Sequence, residues 1–178
     1  MRKIIAIGGE PGTGKTTLVR KFMEPLTWEA VEPVKLVSAM YCKEKDLYVL
    51  GKYQEGETFA GTDRLSMAVQ PAVKEFVEST TSNILFEGDR VFNQSFLEFL
   101  AEQPSTELDI VYLIAEPDTL KKRYADRGSD QSETFLKGRK TKYENLLTNF
   151  TLMPYTTKFS NENESEQNSV LEFISKLY

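Results

Sequence analysis

The octet Gly9-Glu10-Pro11-Gly12-Thr13-Gly14-Lys15-Thr16 follows the apolar run Ile4-Ile5-Ala6-Ile7 with one residue between them. It constrains the chain more than any other stretch, because it matches G-x-x-x-x-G-K-S/T at every fixed position. The glycines let the backbone curl so that successive N–H groups point inward at an anion. Apolar spacing at Leu18, Val19 and Phe22 then starts a helix directly behind the loop, and its positive end faces the same anion. Lys15 is long enough to reach β- and γ-phosphates, and the Thr16 hydroxyl is short enough to ligate Mg²⁺. Gly9, Pro11, Gly12, Thr13, Gly14, Lys15, Thr16 and Thr17 are therefore candidates for nucleotide binding. A loop of this kind works only between a strand and a helix, which commits the chain to an α/β sheet.

The rest of the sequence agrees. Strand-like apolar runs occur at 2–7, 34–41, 47–53, 83–89, 109–115 and near 156–160, with KEKD marking a turn of a hairpin between the second and third. Helical spacing covers 16–23, 65–77 (with Pro71 as a break or second start), 92–100, 117–127, 132–150 and the C-terminal VLEFISKL. Strands alternating with helices predict a mostly parallel sheet with right-handed crossovers. The 178 residues fit one domain, 1–178, without an internal repeat or interdomain linker. The polar stretch NENESEQN reads as a solvated loop with a helix start.

Composition removes several chemistries. There is no histidine, so a histidine base, a Ser/His/Asp triad and a His-ligated metal are impossible, and proton transfer falls to carboxylates, Lys, Tyr or water. Cys42 stands alone, which rules out an internal disulfide and a thiolate zinc site. The net charge of −5 argues against a whole-surface nucleic-acid binder but leaves room for a local basic patch. No apolar run approaches membrane-spanning length and the N-terminal one is too short for a signal peptide, so no membrane partner and a cytoplasmic location are the expectation.

The loop, with this length and alternation, resembles the P-loop kinases that act on nucleosides and nucleotides. The resemblance implies a three-layer α/β sandwich around a mostly parallel five-stranded sheet, with a helical lid at about 120–143 and an acceptor region at about 40–78; the hairpin-like insertion read at 40–53 departs from the usual nucleoside monophosphate kinase pattern. It also implies ATP and Mg²⁺ as cofactors, although ATP and GTP are not distinguished.

In open α/β sheets ligands sit beyond the carboxyl ends of the strands. The run 83–86 ends in Glu87-Gly88-Asp89-Arg90, similar to the acidic turn that nucleotide kinases place near their metal. Glu87, ahead of Asp89, is the candidate to hold Mg²⁺ with Thr16; Asp89 and Arg90 are candidates for the acceptor. An exposed turn is the competing reading. In Gly61-Thr62-Asp63-Arg64, Asp63 matches the carboxylate that hydroxyl-phosphorylating kinases use as base, and Arg64 could pair with an acceptor phosphate. Helix capping by Thr62 or Asp63, with a solvated Arg64, competes on equal terms.

Arg123 and Arg127 are spaced to share a helix face, and Arg139 falls on the stripe Phe135, Arg139, Tyr143, Leu147. Helices joined by GSDQ and bearing these arginines resemble a nucleotide-kinase lid, with Gly128 and Gly138 as hinges. There Lys15, Asp63, Glu87, Arg123, Arg127 and Arg139 would form the catalytic set, with the arginines on the charge that spreads over equatorial oxygens. Fold analogy puts adenine near Asn161.

Three acceptor readings stay open. The first is a nucleotide, nucleoside or related hydroxyl. The second rests on VLGKYQEGETFAGTDRLSMAVQP, which resembles phage-type kinases of hydroxymethylpyrimidines such as 5-hydroxymethyluracil in DNA, with Tyr41, Tyr48, Tyr53 and Phe59 as stacking residues. The third is a nucleotide-dependent switch NTPase without an acceptor. Oligomeric state is not legible.

Overall fold

The computed structural model describes residues 1–57 and 59–178; Thr58, within the acceptor region expected at about 40–78, lies outside the described residues. The elements run β1 (Arg2–Gly9), α1 (Lys15–Met23), β2 (Glu29–Val34), β3 (Val37–Cys42), β4 (Leu47–Leu50), α2 (Gln70–Ser79), β5 (Asn83–Glu87), α3 (Gln94–Ala101), β6 (Thr106–Ile114), α4 (Pro117–Asp126), α5 (Glu133–Leu147), β7 (Thr156–Ser160) and α6 (Glu164–Leu177). The sheet order is β2-β3-β4-β5-β1-β6-β7. Strands β4, β5, β1, β6 and β7 pair in parallel, and β3 pairs antiparallel with both β2 and β4.

The sheet has seven strands, not five. The five-stranded parallel part is the expected one, and the hairpin between β3 and β4 is also as read. The additional edge strand β2 carries Glu29, Glu32 and Pro33 and is largely exposed, so it has no apolar alternation to betray it. The apolar run at 34–41 is in fact the end of β2, a turn and most of β3. Leu36 sits in that turn at φ 76°, a left-handed conformation that no glycine or asparagine advertises. Helix α2 begins at Gln70 with Pro71 in its first turn, where the missing N–H costs nothing.

Side chains of each parallel strand alternate between two cores. Ile4, Ala6, Ile84, Phe86, Leu108 and Ile110 pack with Val73 and Phe76 of α2 and Phe96 and Leu100 of α3. On the opposite face Ile5, Ile7, Leu85, Val111 and Leu113 pack with Leu18 and Phe22 of α1 and Val170 and Ile174 of α6. This is the three-layer sandwich. Tyr143 and Leu146 of α5 join the first core, which fixes α5 against the body of the domain.

Helix starts follow local chemistry. Asn93, Ser132 and Asn163 accept hydrogen bonds from the backbone N–H groups of Phe96, Phe135 and Glu166. Each such cap is worth about 1 kcal/mol. Helix α6 starts inside the acidic stretch, so Glu164 and Glu166 lie in its first turn, where the helix dipole favours them. Among the described residues no helix is long and apolar enough to cross a membrane.

Candidate active site

Parallel pairing of β1 with β5 sets Ile7 opposite Glu87. Both strands therefore end at the same level, with the phosphate loop leaving one and the acidic turn leaving the other. The Thr16 hydroxyl, at the start of α1, donates to Glu87 Oε1 at 2.9 Å. Thr62 donates from its side chain to the Glu87 carbonyl at 2.8 Å, which brings the Thr62–Arg64 turn alongside. Two glycines permit this approach. A Cβ on Gly61 would lie 2.5 Å from Glu87 Oε1, and one on Gly88 would lie 2.7 Å from Thr62 Oγ1; both residues have positive φ.

The loop is held from within and from without. Thr13 donates from Oγ1 to the Glu10 carbonyl at 2.8 Å, and Lys15 Nζ donates to the carbonyls of Gly9 and Glu10 at 2.7 and 3.2 Å. From outside, Asn161 Nδ2 donates to Thr13 O at 2.7 Å and Tyr124 donates its phenol proton to Pro11 O at 2.6 Å. Arg123 donates to the carbonyls of Gly12 (2.8 Å), Asn161 (2.8 Å) and Glu162 (3.3 Å).

A cavity of about 1020 Å³ opens over the loop. Pro11, Gly12, Lys15 and Thr16 line its floor; Asp63, Glu87, Asp89 and Arg90 line one wall, and Arg127 comes from the end of α4 and Arg139 from α5. Eight residues singled out for charge or metal chemistry thus meet in one space. Others do not line it. Gly9, Thr13 and Gly14 shape the loop, Thr17 is exposed, Arg123 is spent on backbone carbonyls, and Arg64 pairs with Glu57.

The acids divide by environment. Glu87 is 2% exposed, and burial pushes its carboxyl up to about 7 against the pull of Lys15 and Thr16. Asp63 is also raised, by burial and then by neighbouring Asp89; its Oδ1 accepts the Arg90 backbone N–H at 3.1 Å. Burial would raise Asp89 as well, but Lys142, Tyr143, Lys15 and Arg139 bring it below the usual carboxylate range. Lys15 is lowered by desolvation, with Glu87, Asp89 and Asp63 opposing. Among the described residues no group of three or more acidic, His or Cys side chains could chelate a metal alone. Mg²⁺ keeps waters and takes one or two protein ligands together with phosphate oxygens. Thr16 and Glu87 could be those ligands.

Tyr53, read as a stacking residue, is not among the cavity-lining residues and instead donates its hydroxyl to Glu87 Oε1 at 3.4 Å; sequence reasoning missed that role and the supporting roles of Tyr124, Lys142 and Tyr143. Tyr41 and Tyr48, taken as stacking candidates, pack against each other at 4.5 Å with their planes tilted by 33°, and Tyr48 packs edge-on to Phe76 at 5.0 Å; neither lines the cavity. Phe59 does line it.

The fold is shared with known kinases. A gluconokinase from Sinorhizobium meliloti superposes with a TM-score of 0.52 at 17% identity, covering 99% of this chain and 96% of that one. A sugar kinase from Janibacter sp. superposes with a TM-score of 0.54 at 15% identity, covering 98% and 95%. No curated protein matches significantly. A family model described as P-loop Nucleotide Kinase3 matches residues 1–175, so the chain belongs to that family and is a P-loop kinase, a phosphotransferase.

Proposed function

We propose that the enzyme moves the γ-phosphoryl group of ATP to a hydroxyl or phosphate of a nucleotide, nucleoside or related small acceptor. One observation carries the reading: Lys15 and Thr16 on the floor and Asp63 and Arg90 on the wall share a single cavity, so donor and acceptor can meet there. The loop amides and Lys15 bind the β- and γ-phosphates. Thr16 and Glu87 would hold Mg²⁺, which supplies charge neutralisation across the phosphates. Asp63, raised by burial, takes the proton from the acceptor hydroxyl as its oxygen bonds to γ-phosphorus. The bond to the bridging oxygen breaks, and ADP leaves with that electron pair. Arg127 and Arg139 stabilise the equatorial oxygens. Arg123 serves from behind, keeping the loop on α4. Arg90, which donates to the Asp63 carbonyl at 3.0 Å, frames the acceptor side, while Arg64 is engaged by Glu57 outside the cavity lining.

A second reading, transfer to a hydroxymethylpyrimidine in DNA, gains from Phe59 and Met67. They line the cavity at 65% and 85% exposure, an apolar pair on which a flat base could stack. Release of ADP, followed with separate pools of nucleosides, nucleoside monophosphates, and DNA with or without hydroxymethylpyrimidine, tests both. Stimulation by a free nucleoside or nucleotide supports the first reading, and stimulation by modified DNA alone supports the second. An ADP rate equal in every pool overturns both.

A further inference from the structure

Asp89, at the turn after β5, collects three donors from one face of α5. Its Oδ1 accepts from the Tyr143 hydroxyl and, at 3.2 Å, from Lys142 Nζ; its Oδ2 pairs with Arg139 Nε at 3.6 Å. Positions 139, 142 and 143 are neighbours on a helix surface, so one carboxylate spans a full turn of the lid helix. The three donors are not equivalent. Tyr143 is 1% exposed and packs against the rings of Phe92 and Tyr112, at 6.0 and 5.4 Å between centroids, so its hydroxyl is fixed by the core. Arg139 instead reaches the cavity, with its guanidinium 4.8 Å over the Phe135 ring. The ionic contact between Asp89 and Arg139 is made at Nε, the stem side of the guanidinium.

We infer that Asp89 is a positioning residue that acts through Arg139. Anchored by a core tyrosine, it holds the inner edge of the guanidinium, so that the outer edge meets the transferring phosphoryl group already oriented. Asp89 itself takes no substrate. An arginine free to sample rotamers would have to be ordered during the reaction, and small misplacements of a catalytic group are costly in rate. The inference rests on the phosphoryl-transfer reading above.

The test is a double-mutant cycle of Asp89→Asn and Arg139→Gln, read as kcat and as KM for ATP. Asp89→Asn should lower kcat by about tenfold with KM changed by less than about threefold. In the Arg139→Gln background the same substitution should cost less than about twofold. An undiminished loss in that background would mean that Asp89 acts by itself and would overturn the inference. A second readout is independent of turnover: the ¹H–¹⁵N signal of Arg139 Nε, assigned by its loss in Arg139→Gln. It should stand apart from free arginine in the wild type and move to the free position in Asp89→Asn; a signal that does not move refutes the latch. This readout stands even if no acceptor is phosphorylated, in which case the transfer reading alone fails. Should Asp89→Asn not fold, Tyr143→Phe keeps the buried ring and removes only the anchoring proton. Its Arg139 signal should shift in the same direction, and an unmoved one is equally adverse.

Discussion

Lys15 rests its ammonium on two loop carbonyls while three carboxylates, Glu87, Asp89 and Asp63, favour its charge. Truncation removes the only lysine among the described cavity-lining residues without opening the hydrophobic core. Lys15→Ala should therefore lower kcat on the order of a hundredfold to a thousandfold with its melting transition retained; full activity would sink the mechanism. Asp63→Asn keeps the shape and the bond from Arg90 but removes the proposed base. We expect kcat to fall on the order of a hundredfold, with ATP affinity measured calorimetrically nearly unchanged. An unaltered rate would leave Asp63 as a structural residue of its turn. At this scale the phosphate loop was readable because its chemistry is written in contiguous residues at fixed spacing. The Asp89–Tyr143 contact was not, since its partners are 54 residues apart and meet only when α5 docks on the sheet.

Helix α4 shows how one face can serve two purposes. Arg123 and Arg127 share a face by spacing, as the sequence indicates, but they are one turn apart along the axis. The nearer one is taken by the Gly12, Asn161 and Glu162 carbonyls, and the farther one lines the cavity. Arg123→Met should thus loosen the loop. Lost charged hydrogen bonds of about 2 kcal/mol predict a melting temperature lower by roughly 4–8 °C, with KM for ATP raised more than kcat is lowered. A variant that melts like wild type and loses only kcat would place Arg123 with the reacting phosphate instead. Periodicity gave the element types of β1, α1, α3, β5 and β6, where burial is one-sided or complete. It failed at β2, a polar edge strand whose identity comes from pairing with β3.

For the molecule as a whole, the site is held at a cost in stability. Glu87 titrates at about 7 when folded, above its ordinary 4.5, so its protonated form is favoured by folding. Its contribution to stability is present below about pH 4.5 and is lost as pH rises through 7, by about 3 kcal/mol at most. Glu87→Gln in the nucleotide-free protein should melt higher than wild type at pH 8, converge with it at pH 5, and transfer phosphoryl poorly. A lower melting temperature at pH 8 would show that the carboxylate stabilises the fold and not the bound state. The central claim is tested most directly by following the label of γ-phosphate-labelled ATP, with Mg²⁺ and a mixed pool of nucleosides and nucleotides, in wild type and Lys15→Ala. The account predicts label in a nucleoside or nucleotide product with the wild type, and labelling slower by on the order of a hundredfold or more with the variant. Label recovered solely as inorganic phosphate, at a rate indifferent to any acceptor, would contradict it.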